Sequence, residues 1–136
     1  MASSKRSDAP EPGDVLVFGI ANCDQVRKAR TWLQAAGVAY HFHDYRVDGL
    51  DAARLADWMR HVPWDALINR RGTTWRRLDD SRRAAVTDQL SATELLLEQP
   101  TLVKRPVLQH GQRLLVGFSE PLYQSFFGAP PTAARS

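Results

Sequence analysis

Apolar residues run together at Val15-Leu-Val-Phe18, give way to Gly19-Ile-Ala-Asn22, and then recur at helical spacing as Val26, Ala29, Trp32, Leu33 and Ala36. A short continuous apolar run followed by a 3.6-residue period predicts a buried strand feeding an amphipathic helix, with Gly37 as its stop. From Tyr40 to Tyr45 aromatic residues alternate with His and Asp, the period of a strand with one face on a core. After Asp48-Gly49, Asp51 stands where a cap is needed for a helix that carries Leu55, Trp58, Met59 and Val62 on one side and stops by Pro63.

The centre of the chain reads as helical. A turn is expected around Trp64 to Ile68, and a helix over 79–89 begun by two aspartates. Ser91-Ala-Thr-Glu94 has the form of a capping box opening Leu95-Leu96-Leu97, with a stop before Pro100. Val107-Leu108 and Leu114-Leu115-Val116, joined through His110-Gly111-Gln112, predict a β-hairpin; Ser119 with Pro121 behind it opens a last helix ending at Gly128. The order βαβ, helices, ββα predicts an α/β fold: a thioredoxin-like mixed four-stranded sheet with a helical insertion at about 49–100. Residues 14–127 are expected to form a single domain, flanked by small, polar, proline-rich tails at 1–13 and 128–136 that cannot bury enough apolar surface to order.

A chain of 136 residues buries enough surface to need neither disulfide nor metal. Its one cysteine forbids an intrachain disulfide, and no leader-like or membrane-spanning apolar run is present, so a reducing, cytoplasmic setting and no membrane are expected. The net charge is +3. The excess gathers at Arg70, Arg71, Arg76, Arg77, Arg82 and Arg83, against Asp79 and Asp80. That run lacks the stacking aromatics of a nucleic-acid module and reads as a solvated face, with no direct nucleic-acid binding expected. His41 and His43 share a strand face, yet no cysteine or carboxylate pair joins them at zinc-like spacing, and no metal is expected.

The chemistry concentrates at Cys23, at the turn from the first strand into the first helix. A thiol there faces unpaired backbone N–H groups and the positive end of the helix dipole, which favour a thiolate and give anions a place to bind; Arg27 and Lys28 add charge, and Asp24 opposes it. His43 and Asp44, on a strand that reads as remote from this loop, fit structural roles better than acid or base roles. Gly72 in Asn69-Arg-Arg-Gly72 permits a tight turn that can aim Arg70 or Arg71, and Trp75 reads as a packing anchor.

Four segments, Gly19-Ile-Ala-Asn-Cys-Asp-Gln-Val-Arg-Lys-Ala-Arg30, Phe42-His-Asp-Tyr45, Leu67-Ile-Asn-Arg-Arg-Gly-Thr-Thr-Trp75 and Leu102-Val-Lys-Arg-Pro-Val107, together resemble the arsenate reductase (ArsC)/Spx-like family, closest to its YffB subgroup. The resemblance implies a thioredoxin-like fold and a glutathione-dependent thiol/disulfide or oxyanion reductase. It binds no cofactor, takes glutathione as co-substrate, has glutaredoxin as a partner and works as a monomer. Carried onto this chain, it makes Cys23 the nucleophile and Arg105 its catalytic companion. Asn22, Arg27, Arg70, Arg71 and Pro106 become substrate-binding residues, with the Arg105-Pro106 bond cis and facing the thiol. Backbone groups beside that bond are expected to be open to an extended peptide such as glutathione. The family's third arginine would fall in the hairpin at Gly117 or Phe118, so weak arsenate reduction is expected. Other members are regulators that bind RNA polymerase, some of them with a Cys-x-x-Cys switch; here the motif is Cys23-Asp24-Gln25-Val26, which cannot form that disulfide, and an Spx-like regulator that binds RNA polymerase without the switch is the alternative the resemblance implies.

Overall fold

A computed structural model describes residues 14–128. The tails expected at 1–13 and 128–136 lie outside the described residues, apart from Gly128. Strand β1 (Val15–Gly19) leads to α1 (Asp24–Ala35) and β2 (His41–Asp44). Then come α2 (Ala52–Met59), a 3₁₀ turn at Trp64–Leu67, α3 (Thr73–Arg76), α4 (Asp80–Ala84), α5 (Gln89–Glu98) and a 3₁₀ turn at Pro100–Leu102. The chain closes with β3 (Val107–His110), β4 (Arg113–Val116) and α6 (Glu120–Phe127). The strands form one mixed sheet in the order β2-β1-β3-β4, parallel between β1 and β2 and antiparallel elsewhere, which is the expected thioredoxin-like α/β arrangement. No described helix is long and apolar enough to cross a membrane.

The chain divides into two compact units: one holds the sheet, from residues up to Asp44 and from Arg105 onward, and the other is Tyr45–Lys104. In the first, Val15 and Val17 of β1 and Leu108 of β3 share a buried cluster with Ala29 and Leu33 of α1 and Tyr123 and Phe126 of α6. Trp32 and Phe118 pack edge-on against the Tyr123 ring, at centroid distances of 5.5 and 4.7 Å. Helix α1 ends as its sequence dictates: Gly37 takes φ +75°, its N–H donates to Gln34 O (3.2 Å), and the N–H of Val38 donates to Leu33 O (2.9 Å). This is the Schellman arrangement that only glycine enters without steric cost. Gly19 has another purpose, since a Cβ there would stand 2.6 Å from Cγ2 of Val26, so its bare backbone lets α1 lie against the end of β1.

In the second unit the Asp51 side chain caps α2 as expected, accepting from Arg54 N–H (2.8 Å). Three expectations fail here. The helix expected over 79–89 is only Asp80–Ala84, because Asp88 breaks out to cap the next helix. The capping box is Asp88 with Ser91, each side chain accepting from the other's backbone N–H (2.9 and 3.1 Å), and not Ser91 with Glu94; α5 therefore begins two residues before Ser91. Helix α3 lies where a loop was expected.

Half of the arginine run, Arg76, Arg82 and Arg83, is spent on contacts within the unit itself. Arg83 pairs with Asp80 and donates to the carbonyls of Trp75, Arg76 and Leu78. Arg82 pairs with Glu98, and Arg76 donates to the carbonyl of Arg71 (2.8 Å). A guanidinium that satisfies several helix-end carbonyls stabilises short turns that propensity alone would not hold.

Candidate functional site

Strand β1 delivers the chain to Gly19, Ile20 is buried, and Ala21 and Asn22 lie exposed in the turn before Cys23. Cys23 is the N-cap of α1, half-buried, with extended backbone (φ −97°, ψ 133°). Its N–H closes the turn onto Ile20 O (3.1 Å), and its carbonyl accepts from Arg27 N–H (2.9 Å). Its side chain makes no capping hydrogen bond. The position that ordinarily holds a Ser or Asp oxygen over the first-turn N–H groups therefore presents a sulfur instead, and those donors face whatever anion approaches.

Asp24, in the first turn, is held by Arg27 (3.5 Å) and Lys28 (3.4 Å). Arg27 thus offsets the adjacent carboxylate as an exposed ion pair. It also lines, with Gln25, Lys28, Trp32, Phe118 and others, an open groove of about 800 Å³ between α1 and the start of α6. Cys23 is not among the groove's residues. Sequence reading missed this groove because it requires α1 and the β4–α6 junction to be brought side by side.

Arg105 and Pro106 come to the same end of the sheet as Cys23 by strand register. Phe18 pairs with Val107, the first residue of β3, so the Arg105-Pro106 segment enters the sheet where the Ile20–Cys23 turn leaves it. The Arg105-Pro106 peptide is cis, as expected, with Pro106 buried and Arg105 half-buried. The Pro106 carbonyl accepts from Gly117 N–H (2.8 Å), which joins this segment to the end of β4. Gly117 itself has φ +88°, and Phe118 packs on Tyr123, so neither hairpin position takes an arginine without cost.

Arg70 and Arg71 belong to the second unit and are both exposed. Arg71 N–H donates to Asn69 Oδ1 (3.1 Å), and the Arg70 guanidinium lies 5.7 Å from the centroid of the half-buried Trp75. The turn does not need glycine for its backbone angle, as had been expected, because Gly72 has an ordinary φ of −82°. The glycine gives room instead, since a Cβ would lie 3.0 Å from the Asn69 side-chain nitrogen.

Asp44 is not remote from the Cys23 turn, contrary to expectation. Parallel pairing sets it beside Gly19, and its Oδ2 accepts from Ala21 N–H (3.1 Å). On the neighbouring strand positions, His41 contacts Asp14 (2.9 Å) and the His43 ring lies 5.1 Å from that of Phe18. Among the described residues, no three His, Cys, Asp or Glu side chains gather as metal ligands.

A mixed sheet with a cysteine at the N-cap position of its first helix and a cis-proline at the same sheet end defines a thioredoxin-like protein. The chain belongs to the ArsC family, whose model matches residues 18–126. It is 43% identical over 113 residues to an uncharacterized protein of Haemophilus influenzae, covering 83% of this chain and 98% of that one. It is 26% identical over 117 residues to the global transcriptional regulator Spx of Streptococcus mutans, covering 82% of each. Among solved structures, a YffB protein is 45% identical with a TM-score of 0.77, covering 82% of this chain and 96% of that one. An arsenate reductase (ArsC) related protein from Brucella melitensis is 46% identical with a TM-score of 0.69, covering 88% and 99%.

Proposed function

We propose that this protein is a thiol-based reductase in which Cys23 is the sole protein nucleophile and glutathione the co-substrate. The observation that carries the reading is a half-buried thiol at the N-cap of α1, making no capping bond, at the sheet end shared with the Arg105-Pro106 segment. Kinship with the ArsC-related protein of Brucella melitensis supports the reductase class.

With one sulfur, the cycle needs two exchanges. The Cys23 thiolate attacks the glutathione sulfur of a mixed disulfide R–S–S–G, forming Cys23–S–S–G and expelling RS⁻, which takes a proton from water. A second glutathione thiolate then attacks the same glutathione sulfur, releasing Cys23 as thiolate and glutathione disulfide as the oxidised product; glutaredoxin can serve this second step. Arg105 receives a carboxylate of glutathione with its planar fork, which a lysine does not reproduce. Asn22 borders the incoming sulfur. Arsenate is a poor substrate in this reading, because the hairpin offers Gly117 and Phe118 in place of a third cation.

The test is steady-state reduction of a glutathionylated peptide by glutathione, followed through NADPH and glutathione reductase. Wild type turns over and Cys23→Ser does not; equal activity in the two removes the proposal. Similarity to Spx favours a second reading, docking on RNA polymerase. In that reading purified polymerase binds the protein whether or not Cys23 is present.

A further inference from the structure

We infer that Asp44 is a positioning residue for Cys23, its carboxylate acting as a tether on the turn that carries the thiol. The inference rests on the reading of Cys23 as nucleophile. The turn has only four residues between the end of β1 and the first residue of α1, Ile20 to Cys23. Ile20 is fixed by burial, at 4% exposure, and Cys23 by its own N–H bond to Ile20 O (3.1 Å). Between them Ala21 and Asn22 lie exposed. The bond from Ala21 N–H to Asp44 Oδ2 (3.1 Å) ties that exposed stretch to the sheet. A carboxylate accepting a backbone N–H is a charge-assisted bond, stronger than a neutral one. It comes from a residue 23 positions away, brought there by the Gly19–Asp44 register of parallel strands, so it fixes the turn to the sheet and not merely to itself. A thiol that reacts fast must be held in one geometry, because a nucleophile spread over several loop conformers spends only part of its time in line with its target.

The experiment compares wild type, Asp44→Ala, Asp44→Asn and Asp44→Glu in two reactions of Cys23 at neutral pH: alkylation by iodoacetamide and adduct formation with oxidised glutathione. Melting temperature and the solvent exchange of the Ala21 amide are followed by NMR. Asp44→Ala is expected to slow both reactions about three- to tenfold, below the full worth of a charge-assisted bond because this one is exposed to solvent, and to speed Ala21 amide exchange. Asp44→Asn keeps an acceptor oxygen and stays within about twofold of wild type. Wild-type rates in a folded Asp44→Ala overturn the inference, as does Asp44→Asn reacting as slowly as Asp44→Ala. Should Asp44→Ala not fold, Asp44→Glu decides: it keeps the charge and displaces the acceptor, so slowed alkylation supports the tether and wild-type alkylation refutes it. Iodoacetamide needs no glutathione recognition. A wild type that alkylates but takes no glutathione therefore refutes the proposed function and leaves the tether standing, whereas a folded wild type that does not alkylate at all refutes both.

Discussion

Gly19→Ala adds one methyl at the tightest point of the sheet unit, and the structure indicates which way the balance falls. The new Cβ would meet Val26 Cγ2 at 2.6 Å and Cγ1 at 3.6 Å, and Val26 is completely buried. Carbon atoms prefer about 3.5–4.0 Å, so the overlap approaches ~1 Å. Val26 is β-branched and on a helix, which leaves its χ1 one favoured rotamer and no route to swing aside. Relief must come from moving α1, and with it Cys23 at the helix start. Overpacking of this kind costs about 1–3 kcal/mol. Replacing glycine within a strand gives back about 0.5–1 kcal/mol. Taking the middle of each range, the net expectation is destabilisation by about 1 kcal/mol, read as a lower urea midpoint at unchanged slope. Val26→Ala removes the clashing methyls, so the double variant should be more stable than the sum of the single effects by about 1 kcal/mol. An unchanged midpoint for Gly19→Ala, or strict additivity, would refute the close-approach argument.

Three further outcomes are expected. The buried Tyr123 hydroxyl has no hydrogen-bond partner among the described residues, so Tyr123→Phe should leave stability unchanged or raise it by up to about 1–2 kcal/mol in thermal unfolding. Burial pushes that phenol above its ordinary value of 10.0. The unfolded chain loses the proton near pH 10 while the folded chain keeps it; stability is full below that pH and falls above it, and Tyr123→Phe should flatten this alkaline fall. The Ser91 backbone N–H, first, and the Ser91 hydroxyl hold the Asp88 carboxyl below its ordinary 3.8. That contribution is present above the ordinary value and lost as pH falls below it, so Asp88→Ala should lower the melting temperature at pH 7 and narrow its difference from the value at pH 3. Arg105→Lys, finally, should slow glutathione adduct formation while leaving the denaturation midpoint within about 1 kcal/mol, and an equal adduct rate would take Arg105 out of the site.

The sheet unit was legible because its signals are local and agree with one another. The Val15–Phe18 run, the helical spacing from Val26 to Ala36, the Gly37 stop and the Ser119 cap each name the element that forms, and Ser119 does accept from Leu122 N–H (3.1 Å). The middle of the chain was less legible because Asp79, Asp80, Asp88 and Ser91 are all good caps within one stretch, and Ser91 could open a helix or close a box with Asp88. What decided was packing: Ala92, Leu95 and Leu96 are buried, and α5 must begin early enough to present them. Helix α3 was hidden for a related reason, its short Thr-Thr-Trp-Arg turn resting on Arg76 and Arg83 reaching backbone carbonyls. For the site, Cys23 was marked by its strand-to-helix position and Arg105-Pro106 by resemblance. Asp44 and the α1 groove were not, because both depend on contacts between segments far apart in sequence, which no local period records.

The central claim is that Cys23 is a working nucleophile toward glutathione disulfide. The most direct measurement is the intact mass of the native protein after brief exposure to oxidised glutathione, with the modified residue located by peptide mapping. One glutathione on Cys23, removed by reduced glutathione and absent in Cys23→Ser, is the expected result; a native chain that stays unmodified while the urea-unfolded chain is readily glutathionylated would contradict it.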